Sequence, residues 1–226
     1  MKNQICNLLV ALLTGFVTQI HAQHRNYDIK NGIGIQAGVS LFDIDTDNFI
    51  TSQGTGFIGG MAATVDLPHK WYTISWGMLL GEQNIEISAS PISLGTEEMI
   101  EYKLKMVQLA FLFHIKVIDE LITIDLGPQF QYNGELELKD SAFEDYQISN
   151  YSGLSAQDIT DITKINTNGV VGLSGSIGSI KLRAHYIYGL TNMLNKLNNN
   201  NLDFVGKPSE FKGNQSIMAL TLVFTL

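Results

Sequence analysis

The final stretch, Gln215 to Leu226, constrains this chain more than any other. Met218, Leu220, Leu222, Phe224 and Leu226 share one face of an extended strand, and Ile217, Ala219, Thr221, Val223 and Thr225 share the other. A period of two does not fit an amphipathic helix, whose apolar residues recur three and four apart. Large apolar groups on alternate positions up to the last residue fit the closing strand of an outer-membrane β-barrel.

The same alternation returns upstream. Ile122, Ile124, Leu126, Phe130 and Tyr132 oppose Thr123, Asp125, Gly127, Gln129 and Gln131. Leu182, Ala184, Tyr186 and Leu190 oppose Lys181, Arg183, His185 and Gly189. Val107, Leu109, Phe111, Phe113 and Ile115 oppose Gln108, His114 and Lys116. In all, eight candidate strands emerge, at 33–42, 57–67, 71–83, 103–117, 121–132, 168–177, 180–192 and 215–226. Each is near or above the ~9–11 residues that cross a bilayer as a tilted strand. Their connections alternate long and short, the short ones being 68–70, 118–120 and 178–179. The expectation is an all-β, eight-stranded antiparallel up-and-down transmembrane barrel, with both termini periplasmic and the long loops extracellular. Pro128 removes one ladder donor, and a bulge or a locally irregular pair is expected there.

A soluble eight-stranded barrel such as a lipocalin, or a periplasmic sandwich, carries the same alternation with its faces reversed. The polar faces here hold Lys, Arg, His and Asp that would pair in a lumen, and Trp71, Tyr72, Tyr132 and Phe224 gather near strand ends, as in a membrane girdle.

Residues 1–23 read as a cleaved signal peptide: Lys2, an apolar run from Leu8 to Val17, and His21-Ala22-Gln23 as the cleavage site. Residues 24–226 then form the barrel domain of a Gram-negative envelope protein. Cleavage removes Cys6, the single cysteine, so the mature chain forms no disulfide. A formal net charge of −8 argues against nucleic acid as a partner.

The chain resembles the PorT-like family of small outer-membrane barrels. The resemblance rests on Tyr186-Ile187-Tyr188-Gly189-Leu190-Thr191-Asn192, on the apolar strand Val107 to Lys116, and on Gly127-Pro128-Gln129-Phe130. Where relatives often carry a proline in the central strand, this chain has Gln108-Leu109-Ala110. The resemblance implies the barrel fold. The family's best-known member serves protein secretion and gliding; most relatives carrying the domain have no assigned role, so the resemblance does not carry that function to this chain.

No H-E-x-x-H motif, cysteine pair or metal-ligand spacing is present, so neither cofactor nor metal is expected. His114, Lys116, Asp125, Lys181, Arg183 and His185 are expected to face the lumen as an ion-pair network rather than a catalytic or conducting cluster. Ser40, Ser75, Ser174 and Ser176 look scattered, with no Ser–His proximity, and no enzyme activity is expected. Asp43, Asp45, Asp47, Glu97, Glu98, Glu101, Glu144, Asp145, Asp158 and Asp161 make the loops acidic, which reads as solvated surface rather than a calcium site. Asn198 to Asn201 reads as polar loop. Glu101, Lys103 and Lys105, opposite Glu82, Asn84 and Glu86, would form a hairpin above the membrane that offers an edge for strand addition. The function expected is a structural or protein-interaction module of the cell envelope. Its partners would be outer-membrane lipid, the barrel-assembly machinery and an envelope protein. The alternatives are a narrow ion or solute channel and a lipid-modifying enzyme.

Overall fold

The computed structural model describes residues 30–66, 70–92, 95–119, 121–200, 202, 204–206 and 210–226. The candidate signal segment, His24 and His69 lie outside the described residues. The strands are β1 (Lys30–Asp45), β2 (Thr51–Asp66), β3 (Tyr72–Ser90), β4 (Glu98–Ile118), β5 (Ile122–Leu138), β6 (Gln147–Ile148), β7 (Tyr151–Ser152), β8 (Ile165–Ile177), β9 (Ile180–Gly189), β10 (Val205–Gly206) and β11 (Asn214–Thr225). The eight long strands are antiparallel neighbours in the order β2-β1-β11-β9-β8-β5-β4-β3, and pairing of β2 with β3 closes the ring.

Following cross-strand partners once round the ring, from Leu41 through Met218, Tyr186, Val171, Leu126, Phe113, Ile74 and Val65, returns to β1 at Asn31, ten residues from the start. Such a stagger goes with strands tilted by about 35–45°, and eight strands leave an interior just wide enough to be filled by side chains.

The faces decide which kind of barrel this is. Outward positions are apolar and bare, with Leu222 57 % exposed and Trp76 50 % exposed, whereas Asp125 and His114 are 0 % exposed inside. That is the reverse of a lipocalin. The outward apolar band runs from Ile33 to Leu41, Tyr72 to Leu80, Val107 to Val117 and Ile122 to Tyr132. Each stretch matches the ~9–11 residues of a tilted crossing.

The strands are longer than their sequence pattern announces. β3 continues to Ser90, β4 begins at Glu98 and β5 continues to Leu138. They rise past the apolar band because Ile85, Ile87, Ile100, Tyr102, Leu104 and Leu136 still alternate inward, onto a second apolar core. β9 is shorter than expected and ends at Gly189, after which Asn192 turns the chain. At Pro128 the pairing is locally irregular rather than bulged: the β4–β5 register is the same on both sides, from Ala110–Gln129 to Phe113–Leu126, with 111–112 and 127–128 left out of the ladder. A proline on the lipid face omits one hydrogen bond without displacing the ladder.

Candidate functional site: a layered lumen under an apolar cap

The inward faces stack into layers from the short-turn end to the long-loop end. Nearest the short turns, Lys116 Nζ pairs with Asp66 Oδ1 at 2.8 Å, and Thr73 donates to the same oxygen at 2.9 Å. Lys181 stands beside them at the mouth, where a cavity of about 260 Å³ opens.

Above the mouth, Asp125 gathers four donors. His114 lies directly across the β4–β5 ladder, its Nδ1 2.6 Å from Oδ1, and Thr123 donates to that oxygen at 2.7 Å. The second oxygen, Oδ2, accepts from His185 Nε2 at 2.9 Å and from the Ser174 hydroxyl. His185 reaches across β8 because residue 172 is glycine. Asp125 pairs with Gly172, and Gly172 pairs with His185. A Cβ on Gly172 would stand 2.6 Å from the imidazole and 2.2 Å from Ala184 O.

Ser75 Oγ lies 2.7 Å from His114 Nε2, so a Ser–His–Asp chain does form inside the lumen. This corrects the reading of scattered serines. Ser75 and His114 meet diagonally between β3 and β4, which no sequence spacing reveals. The order of groups is that of an activated serine, yet Ser75 is 3 % exposed and its two partners 0 %. The cavity beside it measures about 30 Å³. No acyl substrate fits there, and the chain of bonds acts to tie β3, β4, β5, β8 and β9 together.

Of the six expected lumen residues, the structure joins His114, Asp125 and His185 directly, gives Lys116 to Asp66, and places Lys181 at the mouth. Arg183 is buried higher, donating from Nη1 to Gln36 Oε1 at 3.1 Å. Over it lies a collar of small and aliphatic groups, including Ile58, Leu79, Leu112, Val170 and Ile187. Next comes a sheet of amides. Gln131 joins Gln108, Asn133 and Gln215, and Asn168 donates to Gln129 and Gln131. Paired amides fill the lumen at less cost than buried charges would.

At the long-loop end the interior turns apolar again. Phe42, Ile44, Ile87, Tyr102 and Leu104 from the strands meet Phe49, Leu154, Ile159, Leu197 and Phe211 from the loops, all buried. Tyr102 donates to Ala156 O at 3.1 Å, and its burial pushes the phenol well above its usual pKa. The loops therefore are not simply solvated. Asp158 accepts from Ser155 N and Oγ at 2.8 and 2.7 Å, and Asp161 holds Lys196 at 2.6 Å. Asn198, expected as plain polar loop, clamps both backbone groups of Phe211, at 2.9 and 2.7 Å.

The hairpin residues sit on the outer face of β3 and β4. Glu82 is opposite Lys105, Asn84 opposite Lys103 and Glu86 opposite Glu101. Lys103 reaches Glu82 at 3.0 Å, Lys105 reaches Glu137 at 3.0 Å, and Lys139 reaches Glu101 at 2.9 Å. β2 and β6 flank β3, and β5 flanks β4 from Tyr102 downward, so residues 98–100 of β4 pair with β3 on one side and have no strand neighbour on the other among the described residues.

A family model described as outer membrane protein beta-barrel domain matches residues 21–195, most of the chain. The chain belongs to the outer membrane protein β-barrel domain family. Among solved structures it is similar to Neisserial surface protein A, at 10 % identity and a TM-score of 0.48, covering 86 % of this chain and 97 % of that one. No curated protein matches it. Within this outer membrane barrel the segment 186–192 does specific work. Gly189 leaves room for Gln215, whose Cγ would lie 2.9 Å from a Cβ there. Thr191 Oγ1 accepts from Asn166 Nδ2 and Thr167 N, at 3.0 and 3.1 Å. Asn192 Oδ1 accepts from Leu194 N and Gly213 N, at 3.0 and 2.9 Å, so one side chain fixes both ends of the 190–213 loop.

Proposed function

We propose that this barrel is a closed membrane anchor for a folded cap, and that the cap's outer surface is an interaction module of the cell envelope. One observation carries this reading. The interior-facing residues of the extended strands and the buried residues of three loops form a continuous apolar core across the long-loop end. A core of that kind rigidifies a surface, whereas a pore needs wet passage. In this reading the long loops face the exterior, the short turns and both termini face the periplasm, and outer-membrane lipid covers the apolar band. The barrel-assembly machinery inserts the chain. No step of the proposed role needs a cofactor or catalysis.

The resemblance of 186–192 to the PorT-like motif supports placement near that group. In this structure the segment braces the cap, which fits a role in display rather than transport.

The partner search belongs on the cap's outer face. Photoreactive residues are placed at Met99 and Asp145, which are exposed on the cap. Reproducible crosslinks to an envelope or surface protein in intact cells are expected. Crosslinks to lipid alone from both positions would count against the interaction role. In planar bilayers the purified barrel is expected to be electrically silent, and steady single-channel steps would restore the channel reading.

A further inference from the structure

Arg183 has a cation's charge and, among the described residues, no anion in contact with it. The residue is 4 % exposed, and its Nε and Nη2 have no hydrogen-bond partner. Its one bond goes to a neutral group, Gln36 Oε1 at 3.1 Å. Asp125, the nearby carboxylate, is already engaged by His114, His185, Thr123 and Ser174. A buried guanidinium with two unpartnered nitrogens, three N–H groups in all, is a costly state.

The unpartnered groups are accompanied by space. A cavity of about 30 Å³ is lined by Arg183, Gln36, Ser75, Thr221 and Gly77, with the aliphatic collar above it. A water needs roughly 10–15 Å³ measured in this way, so the space suits one monatomic ion with at most one water. Gly77 contributes by omission: a Cβ there would come within 3.1 Å of Gln36 Nε2. The volume is too small for a carboxylate-bearing metabolite or a peptide end. Asp125 attracts the guanidinium from beyond contact distance; a water would meet only the hydrogen bonds, whereas a halide meets them and sets a negative charge directly against the two nitrogens.

We propose that the barrel interior holds one halide ion, chloride under ordinary conditions, against Nε and Nη2 of Arg183. The ion compensates the guanidinium in the layer between the Asp125 cluster and the collar. It sits against the consecutive strands β9, β11 and β1, closed in by the collar, so it acts as a structural ion and not as cargo.

The test uses the whole barrel refolded in sodium bromide. Anomalous diffraction at the bromine edge is expected to place a peak within hydrogen-bonding reach of Arg183 Nε and Nη2. Density at that point without anomalous signal would mean water and would overturn the proposal. A second measurement does not need crystals. Replacing gluconate with chloride at constant ionic strength is expected to raise the melting temperature by about 3–5 °C per tenfold concentration above Kd. Arg183→Met, which removes the buried charge, is expected to lose this dependence. Lys181→Gln, at the mouth, is expected to keep it. If Arg183→Met keeps the full chloride shift, or if the wild-type barrel shows none, the site does not exist.

Discussion

Removing the Asp125 carboxylate tests whether the lower lumen is held by one shared acceptor. In Asp125→Ala, His114, Thr123, His185 and Ser174 all lose the oxygen they donate to. A buried donor left without an acceptor costs about 1–3 kcal/mol, but the hydroxyls and one imidazole can turn to each other, so the four losses do not simply add. Removing one partner of a buried charged pair costs about 3–5 kcal/mol, and the loss is expected in that range. Asp125→Asn keeps one acceptor oxygen, and its cost is expected nearer about 1–3 kcal/mol. The assay is urea titration of folding into phospholipid vesicles, followed by the fluorescence of Trp71 and Trp76, both exposed on the outside of the barrel. The control is Lys105→Met, whose pair with Glu137 is more than half exposed on each side and is worth less than about 1 kcal/mol. If Asp125→Ala loses no more than the control, or if Asp125→Asn loses more than Asp125→Ala, the shared-acceptor reasoning is wrong.

Gly172→Val places two methyls where His185 crosses β8. It is expected to cost about 1–3 kcal/mol in the same titration and to break the His185–Asp125 contact, seen as a shifted imidazole resonance. Leu104→Ala opens a hole in the fully buried cap core. It is expected to cost about 2–5 kcal/mol and to make the 139–164 loop cleavable by added protease while the barrel stays resistant. Tyr102 has a folded-state pKa raised by burial above its unfolded value of about 10. Its contribution to cap stability is therefore full below pH ~10 and falls as pH rises past that point. Protease sensitivity of the cap should increase above pH 10, and Tyr102→Phe should blunt that increase.

How much of this was readable beforehand follows from periodicity. The strands at 107–117, 122–132, 180–190 and 217–226 carry clear alternation, because lipid outside and a small or polar interior impose opposite demands on successive residues. The β3–β4 register was legible too, since Glu82, Asn84 and Glu86 face Lys105, Lys103 and Glu101. The Asp125 cluster was legible as a set of inward polar residues but not as a bonding pattern. Ser75 meets His114 only once the register is known, and Gly172 matters by having no side chain. The cap was hidden for a different reason. Ile148, Leu154, Ile159 and Leu197 are spaced singly among Ser, Asp and Asn, so no period marks them as core. Their burial depends on three loops meeting, which is tertiary information.

Under the proposed role, the layering places specificity in the cap. An eight-stranded ring fills its own interior, and its outer band need only be apolar, so neither surface discriminates among partners. The lumen spends its polar groups on one another: Lys116 on Asp66, the histidines on Asp125, the glutamines on the asparagines. Above the band, β3, β4 and β5 continue for several residues that the membrane does not require, and they carry exposed Glu and Lys outward while burying Ile, Tyr and Leu inward. Residues that a bilayer crossing does not need, arranged over a core that rigidifies them, are the part of the chain that the proposed interaction role would use.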